Sequence, residues 1–157
     1  MLIAVLSDSH RHAYELNQVL MHIQDTDMII HLGDNVEDVD MLRNGYKGNI
    51  INVRGNCDFS SFVPTERLEE LEGKKLFLTH GHKYSVKSDL LRLKYRAKEV
   101  GADIVLFGHT HEAIELYEEG IWFINPGSLA LPRNRYKSYA VMDLDNLNIK
   151  VSIRELR

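Results

Sequence analysis

The sequence is poor in cysteine and proline and contains no long apolar run. Its one cysteine, Cys57, excludes an intramolecular disulfide and predicts a reducing, cytoplasmic location. Three prolines in 157 residues leave no low-complexity segment to accommodate. Residues 1–6 are apolar, but they lack a basic leader and are too short for a signal peptide or a membrane span. We therefore expect a single soluble domain over residues 1–157 and no membrane partner.

Basic charge is also in short supply. The chain has 19 lysines and arginines against 23 acidic residues, which gives a formal net charge of -4. Proteins that bind nucleic acid through its phosphates usually carry a basic surface. Nucleic acid is therefore disfavoured as a partner, and only a local basic patch is left open. The composition does not fix an oligomeric state, so a homo-oligomer is left open too.

The chain does contain short apolar runs that alternate with segments whose apolar residues recur at helical spacing. Apolar runs predict strands at residues 2–6, 28–32, 49–53, 75–79 and 104–107. Apolar residues at helical spacing predict helices at about 12–24 and 86–100, with a short helix that ends near Gly45. A looser segment surrounds Pro64, and two hairpins are predicted within 113–124 and 139–153. This order indicates an α/β fold of two sheets packed face to face, with helices on the outer faces.

Polar side chains follow five of the predicted strands. In chain order they are Asp8 with His10, Asp34, Asn56, His80, and His109 with His111. Each one alone has an ordinary explanation, such as Asp8 as a helix cap, Asn56 as a turn residue or His80 as a core histidine. Because the carboxyl ends of parallel strands lie side by side, their joint occurrence predicts a cluster of oxygen and nitrogen donors at one sheet edge.

Two aspartates, one asparagine and four histidines are more donors than one ion uses. They suit two divalent cations roughly 3.5–4 Å apart, bridged by the carboxylate of Asp34 or Asp8. The neutral amide of Asn56 suits a terminal position. Imidazole-rich, sulfur-free coordination favours transition metals over Mg2+ or Ca2+, with Mn2+ preferred and Ni2+, Fe2+, Co2+ or Zn2+ as alternatives. Such a site is net positive, so a small phosphate ester is the expected substrate.

Five ordered motifs connect the chain to a known family. Asp8-x-His10, Gly33-Asp34, Gly55-Asn56-x-Asp58, His80-Gly81-His82 and Gly108-His109-x-His111 resemble the motif set of the calcineurin-like metallophosphoesterases. Residues 125–128 and the short length are similar to the small bacterial and archaeal phosphodiesterase branch. The resemblance implies a four-layer α-β-β-α sandwich of two mixed sheets flanked by helices.

The same resemblance implies roles for individual residues. Asp8, His10, Asp34 and His111 would hold one ion, and Asp34, Asn56, His80 and His109 the other, with Asp34 as the bridge. A hydroxide between the ions would attack the phosphorus in line. Asp58 would orient neighbouring groups as a hydrogen-bond acceptor without binding metal. The expected activity is a dinuclear metal-dependent phosphodiesterase that acts on small or nucleotide-like esters.

Three further residues are candidates for contact with the substrate. Cys57 stands where many relatives have a histidine that serves the leaving group, and a neutral thiol is a poor proton donor, so diesters or activated esters are expected. Arg133 either pairs with a phosphate oxygen or is a surface arginine. His82 either packs against the site or contacts the substrate. His12, His22 and His31 belong to no motif and are predicted to lie outside the site.

Two other functions remain open. A eukaryotic membrane-coat subunit resembles this family and serves mainly as a protein-binding scaffold with little or no activity. Such a scaffold is expected to lose metal donors, and all seven are present here. A nuclease that acts on polymers would need a basic groove, and the acidic total counts against one.

Overall fold

The computed structural model describes residues 1–59 and 62–157. Its strands are, in chain order, β1 (Leu2–Leu6), β2 (Met28–His31), β3 (Asn49–Asn52), β4 (Glu66–Leu71), β5 (Lys74–Thr79), β6 (Ile104–Leu106), β7 (Ala113–Glu118), β8 (Ile121–Pro126), β9 (Ser138–Leu144) and β10 (Ile149–Glu155). The helices are α1 (Ala13–His22), α2 (Asp38–Gly45) and α3 (Leu91–Val100), with one turn of 3-10 helix at His82–Tyr84.

The strands form two mixed sheets of five strands each. The first has the order β10-β9-β1-β2-β3 and the second has the order β4-β5-β6-β8-β7. In the first sheet β1, β2 and β3 are parallel, and β9 and β10 run antiparallel to their neighbours. In the second sheet β5, β6 and β8 are parallel, and β4 and β7 are antiparallel edge strands. The parallel strands therefore form one side of the first sheet, where β3 is the edge strand, and the centre of the second.

Alternation along the strands divides the apolar residues between an inner and two outer layers. In β1, Ile3 and Val5 face the space between the sheets, where they join Leu76 and Leu78 of β5. Ala4 and Leu6 of β1 face the other way and pack against α1 and α2, on the outside of the first sheet. Phe77 of β5 packs in the same way with α3 outside the second sheet. The expected four-layer α-β-β-α sandwich is confirmed.

One strand was not predicted. Residues 66–71 form β4, which pairs antiparallel with β5 from Glu66 opposite Thr79 to Leu71 opposite Lys74. Its sequence, ERLEEL, has four charged residues and no β-branched side chain, so neither periodicity nor propensity indicates a strand. Because it is an edge strand, charged side chains are tolerated there and discourage pairing with another chain. Our interpretation of this segment as a loop was therefore wrong.

The third helix begins later than its apolar spacing predicts. A helix from Val86 was expected, but α3 begins at Leu91, and Ser85 has a left-handed backbone with φ of +53°. Val86 is nevertheless buried in the same cluster as Leu93 and Ala97. Val86 is therefore buried although it lies in a turn, and its position in the sequence happens to continue the apolar spacing of α3.

The arrangement places several polar strand ends together. The parallel strands of both sheets send their carboxyl ends toward loops that carry the predicted ligands, because these loops follow β1, β2, β3, β5 and β6. Within the described residues, no helix is both long enough and apolar enough to cross a membrane. The predicted ligands therefore all lie in loops at one edge of the two sheets.

Candidate metal centre

Asp8 lies at the centre of the edge and is fully buried. Its Oδ2 accepts hydrogen bonds from the Ser7 hydroxyl at 2.6 Å and from the His109 backbone N–H at 3.1 Å. Its Oδ1 is buried and, within the described residues, makes no hydrogen bond of normal geometry. Gly108 permits this approach, since a Cβ there would lie 2.1 Å from Ser7 Oγ and 2.8 Å from Asp8 Oδ2. The loop after β6 is thereby held against the loop after β1, with one carboxylate oxygen left free.

Asp34 is anchored by the loop that follows β3. Its Oδ1 accepts the backbone N–H of Cys57 at 2.9 Å, and a Cβ at Gly55 would lie 2.0 Å from that same oxygen. The Asp58 carboxylate accepts the backbone N–H groups of Asp34 at 2.9 Å, Val36 at 2.8 Å and Gly55 at 2.7 Å. Asp58 therefore ties the loops after β2 and β3 together, and its role in orienting Asp34 for function stays a prediction.

Two histidines are oriented by backbone carbonyls. His80 Nδ1 lies 2.8 Å from Leu32 O, and His111 Nδ1 lies 2.7 Å from Leu131 O. A carbonyl oxygen only accepts, so in each ring Nδ1 carries the proton and Nε2 has a free lone pair when the ring is neutral. This is the tautomer that a metal-binding histidine requires.

The free lone pairs point at the buried carboxylates. Asp8 Oδ1 lies 3.1 Å from His111 Nε2, 3.8 Å from His10 Nε2 and 3.8 Å from His80 Nε2. His80 Nε2 also lies 3.3 Å from Asp34 Oδ2. It is buried and makes no hydrogen bond of normal geometry. Two atoms bound to one metal at about 2.1 Å lie about 3.0–3.4 Å apart, so the separation of Asp8 from His111 and that of Asp34 from His80 each fit a shared cation.

The donors fall into three overlapping groups, each with its ligand atoms within 4.8 Å of one another. The groups are Asp8 with His10 and His111, Asp34 with His80 and His109, and His10 with Asp34 and Cys57. All members of the first group belong to one of the two ligand sets that the family resemblance implies, and all members of the second group belong to the other. Asp34 belongs to two of these groups, one that contains His10 and one that contains His80. The sequence analysis did not place the Cys57 sulfur among these donors.

Backbone strain is concentrated in the same residues. Five predicted ligands have φ in the left-handed region: Asp8 at +53°, His10 at +44°, Asp34 at +49°, His109 at +69° and His111 at +58°. Non-glycine residues adopt this region rarely and at a cost in free energy. Such outliers gather where the surrounding structure forces side chains into a required position, which supports a functional reading of this edge.

Both aspartates are ionised. Burial would by itself raise the pKa of Asp8, but the contact with His111 and the charge of His80 outweigh it and lower that pKa below its ordinary value. Burial likewise opposes ionisation of Asp34, whose pKa is lowered strongly by contact with His80 and by the Cys57 backbone N–H. Two buried carboxylates thus carry negative charge that a cation would neutralise.

The histidines divide by their protonation. Burial opposes a charge on His80, but contact with Asp34 and the charge of Asp8 outweigh it, so its pKa is raised. The close contact with the Asp8 carboxylate raises the pKa of His111. Burial and then the charge of His80 lower the pKa of His109 to about 4. Protons on two of the rings therefore stand in for the positive charge that metal ions would bring.

Residues 1–147 match the model of the calcineurin-like phosphoesterase superfamily domain. The chain belongs to this superfamily. A probable metallophosphoesterase of Bacillus subtilis, YsnB, is 38% identical over 148 residues, which cover 93% of this chain and 86% of that protein. The phosphodiesterase YfcE of Escherichia coli is 33% identical over 110 residues, which cover 64% of this chain and 55% of YfcE.

Solved structures share the fold of this phosphoesterase domain. A predicted phosphoesterase from Streptococcus pneumoniae superposes with a TM-score of 0.84 at 33% identity, covering 98% of this chain and 88% of that chain. Vps29 of Entamoeba histolytica, solved as a complex with zinc, superposes with a TM-score of 0.78 at 20% identity, and each chain is covered completely. At that identity the likeness to Vps29 extends to the fold alone.

The predicted substrate contacts of this phosphoesterase lie around the donor cluster. The Asn56 amide donates to Cys57 Sγ at 3.6 Å. Loss of solvent around the sulfur and then contact with Asp34 raise the pKa of the Cys57 thiol to about 11. His82 stacks near His80, with ring centroids 5.5 Å apart. Arg133 donates its backbone N–H to His111 O at 2.9 Å, and its side chain is exposed.

Two residues outside the motifs support the site from behind. His31 is fully buried and accepts the Gly33 backbone N–H at Nδ1, so its Nε2–H donates to Ser9 Oγ at 2.9 Å. Ser9 in turn donates to Asp38 Oδ2 at 2.6 Å, and Asp38 also accepts the Arg11 backbone N–H at 2.9 Å. Both ring nitrogens of His31 are thus used in hydrogen bonds, and the residue braces the turn that carries the neighbouring ligands. A histidine inside an apolar strand was the available signal.

Proposed function

We propose that this chain is a dinuclear metal-dependent phosphodiesterase that hydrolyses small or nucleotide-like phosphate esters. The observation that carries the proposal is the convergence of buried carboxylates and imidazoles from the loops of both sheets. Asp8 Oδ1 and His80 Nε2 are buried without hydrogen-bond partners and lie 3.8 Å apart. Leaving such groups unpaired is costly, and two divalent cations, one beside each atom, would satisfy them.

Each ion has a proposed set of ligands. Asp8, His10, Asp34 and His111 would hold one ion, and Asp34, Asn56, His80 and His109 would hold the other. The membership of Asp34 in two donor groups supports it as the bridge. When bound, the pair of ions supplies a nucleophile from water and Lewis-acid charge for the phosphate oxygens.

The chain's own groups orient the ligands and exclude water from behind them. Asp58 uses three backbone hydrogen bonds to fix the Asp34 loop. Carbonyl contacts of His80 and His111 at Nδ1 keep both Nε2 atoms directed inward. Asn125 is buried and donates to Gly108 O and to Thr110 Oγ1, each at 3.0 Å, so it fixes the loop between His109 and His111.

The substrate is proposed to be a diester or an ester with a good leaving group. Cys57 stays a neutral thiol because its pKa is raised to about 11, and such a thiol is a weak proton donor for an alkoxide. Burial and the charge of His80 lower the pKa of His82, so its ring is neutral at pH 7. Neither side chain offers an efficient acid, which disfavours monoesters of poor leaving groups.

The test is hydrolysis of bis-p-nitrophenyl phosphate by purified protein with added metal. We expect turnover with Mn2+, weaker or comparable turnover with Ni2+, Co2+, Fe2+ or Zn2+, and loss of activity with a chelator. Asp34→Asn is expected to lose activity, and Asp25→Asn, which changes an exposed carboxylate, serves as the matched control. Metal-loaded protein that hydrolyses no phosphodiester would contradict the proposal.

A protein-binding scaffold is the second candidate. The observation that favours it is the superposition on Vps29 over the whole chain. The complete set of candidate donors counts against it, because a scaffold has no need of buried, unpaired donors in strained backbone. If metal-loaded protein proved inactive while it retained both ions, this second candidate would replace the first.

A further inference from the structure

A cavity of about 500 Å³ opens beside the candidate metal centre. The residues of its lining that bear on function are Arg54, Asn56, Phe59, Thr65, His82 and Lys83. Asn56 and His82 connect the cavity to the donor cluster, since Asn56 is a proposed ligand and the His82 ring lies 5.5 Å from the ring of His80. A molecule with its scissile phosphate at the metals would therefore extend into this cavity.

The cavity is positively charged although the chain is acidic. Within residues 1–59 and 62–157, the guanidinium of Arg54 has no ion pair or hydrogen bond. Lys83 Nζ donates to Thr65 Oγ1 at 2.8 Å, and this neutral partner leaves its charge uncompensated. The one acid in the lining, Asp58, spends its carboxylate on three backbone N–H groups.

Unpaired surface cations are often merely solvated, but here they share the cavity with an exposed aromatic ring. Phe59 is 83% exposed and Phe62 is fully exposed, whereas the phenylalanines at 77, 107 and 123 are almost completely buried; of the two exposed rings, only Phe59 lines this cavity. Exposed phenylalanine next to cations is the combination that binds bases by stacking and phosphates by charge. The lining thus offers one apolar and two cationic contacts beyond the metals.

We propose that this cavity is a subsite for a second anionic group of a nucleotide-type ester, with Arg54 and Lys83 contacting the anion and Phe59 the base. The subsite rests on the proposed function, because it presumes that the first phosphate of the same molecule lies at the donor cluster. It narrows the substrate class from phosphate esters in general to nucleotide esters that carry a further phosphate.

The test uses two chromogenic esters that differ only in the second anion. They are thymidine 5′-p-nitrophenyl phosphate and its 3′-phosphorylated form. With Mn2+-loaded protein we expect a kcat/KM about tenfold higher for the 3′-phosphorylated ester, through KM, which is the effect of one charge-assisted contact. Equal kcat/KM values for the two esters would overturn the subsite.

Substitutions test which residues cause the preference for the 3′-phosphorylated ester. Arg54→Ala and Lys83→Ala are each expected to reduce the ratio of the two kcat/KM values toward one, while Lys83→Arg keeps most of it. Phe59→Ala is expected to weaken both esters equally and leave the ratio unchanged. Lys150→Ala, an exposed lysine on β10, is the matched control. A ratio that survives in both alanine variants of the cations would contradict the assignment.

A binding measurement separates this subsite from the proposed activity. Thymidine 3′,5′-bisphosphate and thymidine 5′-monophosphate are titrated calorimetrically into Mn2+-loaded protein, which is not expected to hydrolyse these monoesters. Tighter binding of the bisphosphate, lost in Arg54→Ala, would uphold the subsite even if neither ester were hydrolysed, in which case only the proposed function fails. Hydrolysis without any preference in rate or binding would leave the function standing and remove the subsite.

Discussion

The candidate ligands owe their positions to backbone that the sequence motifs do not describe. Residue types and spacing were sufficient to predict that Asp8, His10, Asp34, His80, His109 and His111 meet, because they follow strands whose ends must be adjacent. The free Oδ1 of Asp8 and the carbonyl partners of His80 and His111 could not be predicted in this way. Those contacts depend on loops from both sheets, whose relative placement is a property of the folded chain alone.

Metal binding is expected to release protons, with a definite dependence on pH. The pKa values of His80 and His111 are raised above the ordinary 6.5, so without metal both rings are protonated from low pH up to their raised values. A metal needs the neutral rings and must displace these protons. Proton release from these two rings is therefore largest below pH 6.5, where both are protonated, and it declines as the pH rises through the raised values, while metal affinity increases.

Calorimetric titration with Mn2+ in two buffers of different ionisation enthalpy measures this release. His109, with a pKa lowered to about 4, is neutral throughout and contributes no proton. Release that does not change with pH above 6.5 would contradict the pairing of His80 with Asp34 and of His111 with Asp8.

Asn56→Ala is expected to weaken one ion more than the other. The proposed assignment gives the Asn56 amide to the ion held by His80 and His109, and loss of one ligand should lower that affinity by about 10–100-fold. Elemental analysis across a Mn2+ titration should then show one ion per chain over a wide range of concentration. Asn44→Ala, an exposed residue of α2, is the control, and two equally occupied ions in Asn56→Ala would refute the assignment.

At the scale of elements, the turn after β1 depends on α2 and β2. Ser9 joins His31 of β2 to Asp38 of α2 through two buried hydrogen bonds. Ser9→Ala leaves the Nε2–H of His31 without a partner, which should lower the free energy of unfolding by about 1–3 kcal/mol. Urea denaturation measures the loss, and Ser88→Ala, at an exposed position, should change stability very little.

The Ser9→Ala variant also tests whether Ser9 positions the neighbouring metal ligands or only stabilises the fold. Because Ser9 precedes His10, its loss should weaken the ion proposed for Asp8 and His10, while the ion at His80 and His109 is retained. A variant that is less stable but binds both ions unchanged would limit Ser9 to a structural role.

Elements were predictable where burial follows the strand or helix period, and were missed where it does not. β1 alternates between two buried faces, and α1 carries Leu16, Val19 and Leu20 on one face, so local pattern and tertiary packing agree. β4 is held mainly by backbone pairing with β5, since Leu68 is 52% exposed and only Leu71, at the end of the strand, packs against the core. Its pairing partner, and not its composition, decides its conformation.

At the scale of the whole molecule, the candidate centre joins the two sheets. Asp8, His10 and Asp34 come from the loops of the first sheet, and His80, His109 and His111 come from the second. Each of the two proposed ligand sets therefore spans the interface between the sheets. A bound ion would act as a cross-link at the open edge of the apolar layer that lies between them.

Metal binding should therefore stabilise the entire fold. At a free Mn2+ concentration about 100 times Kd, one site contributes about 2.7 kcal/mol, which corresponds to a rise in Tm of about 5–10 °C for a chain of this size. Thermal unfolding with Mn2+ and with a chelator measures the difference. Asp34→Asn should lose most of the Mn2+-dependent rise, because it removes the charge shared by both ligand sets, whereas Asp25→Asn should keep it. An equal rise in the two variants would show that Mn2+ stabilises the chain from somewhere other than the edge where the two sheets meet.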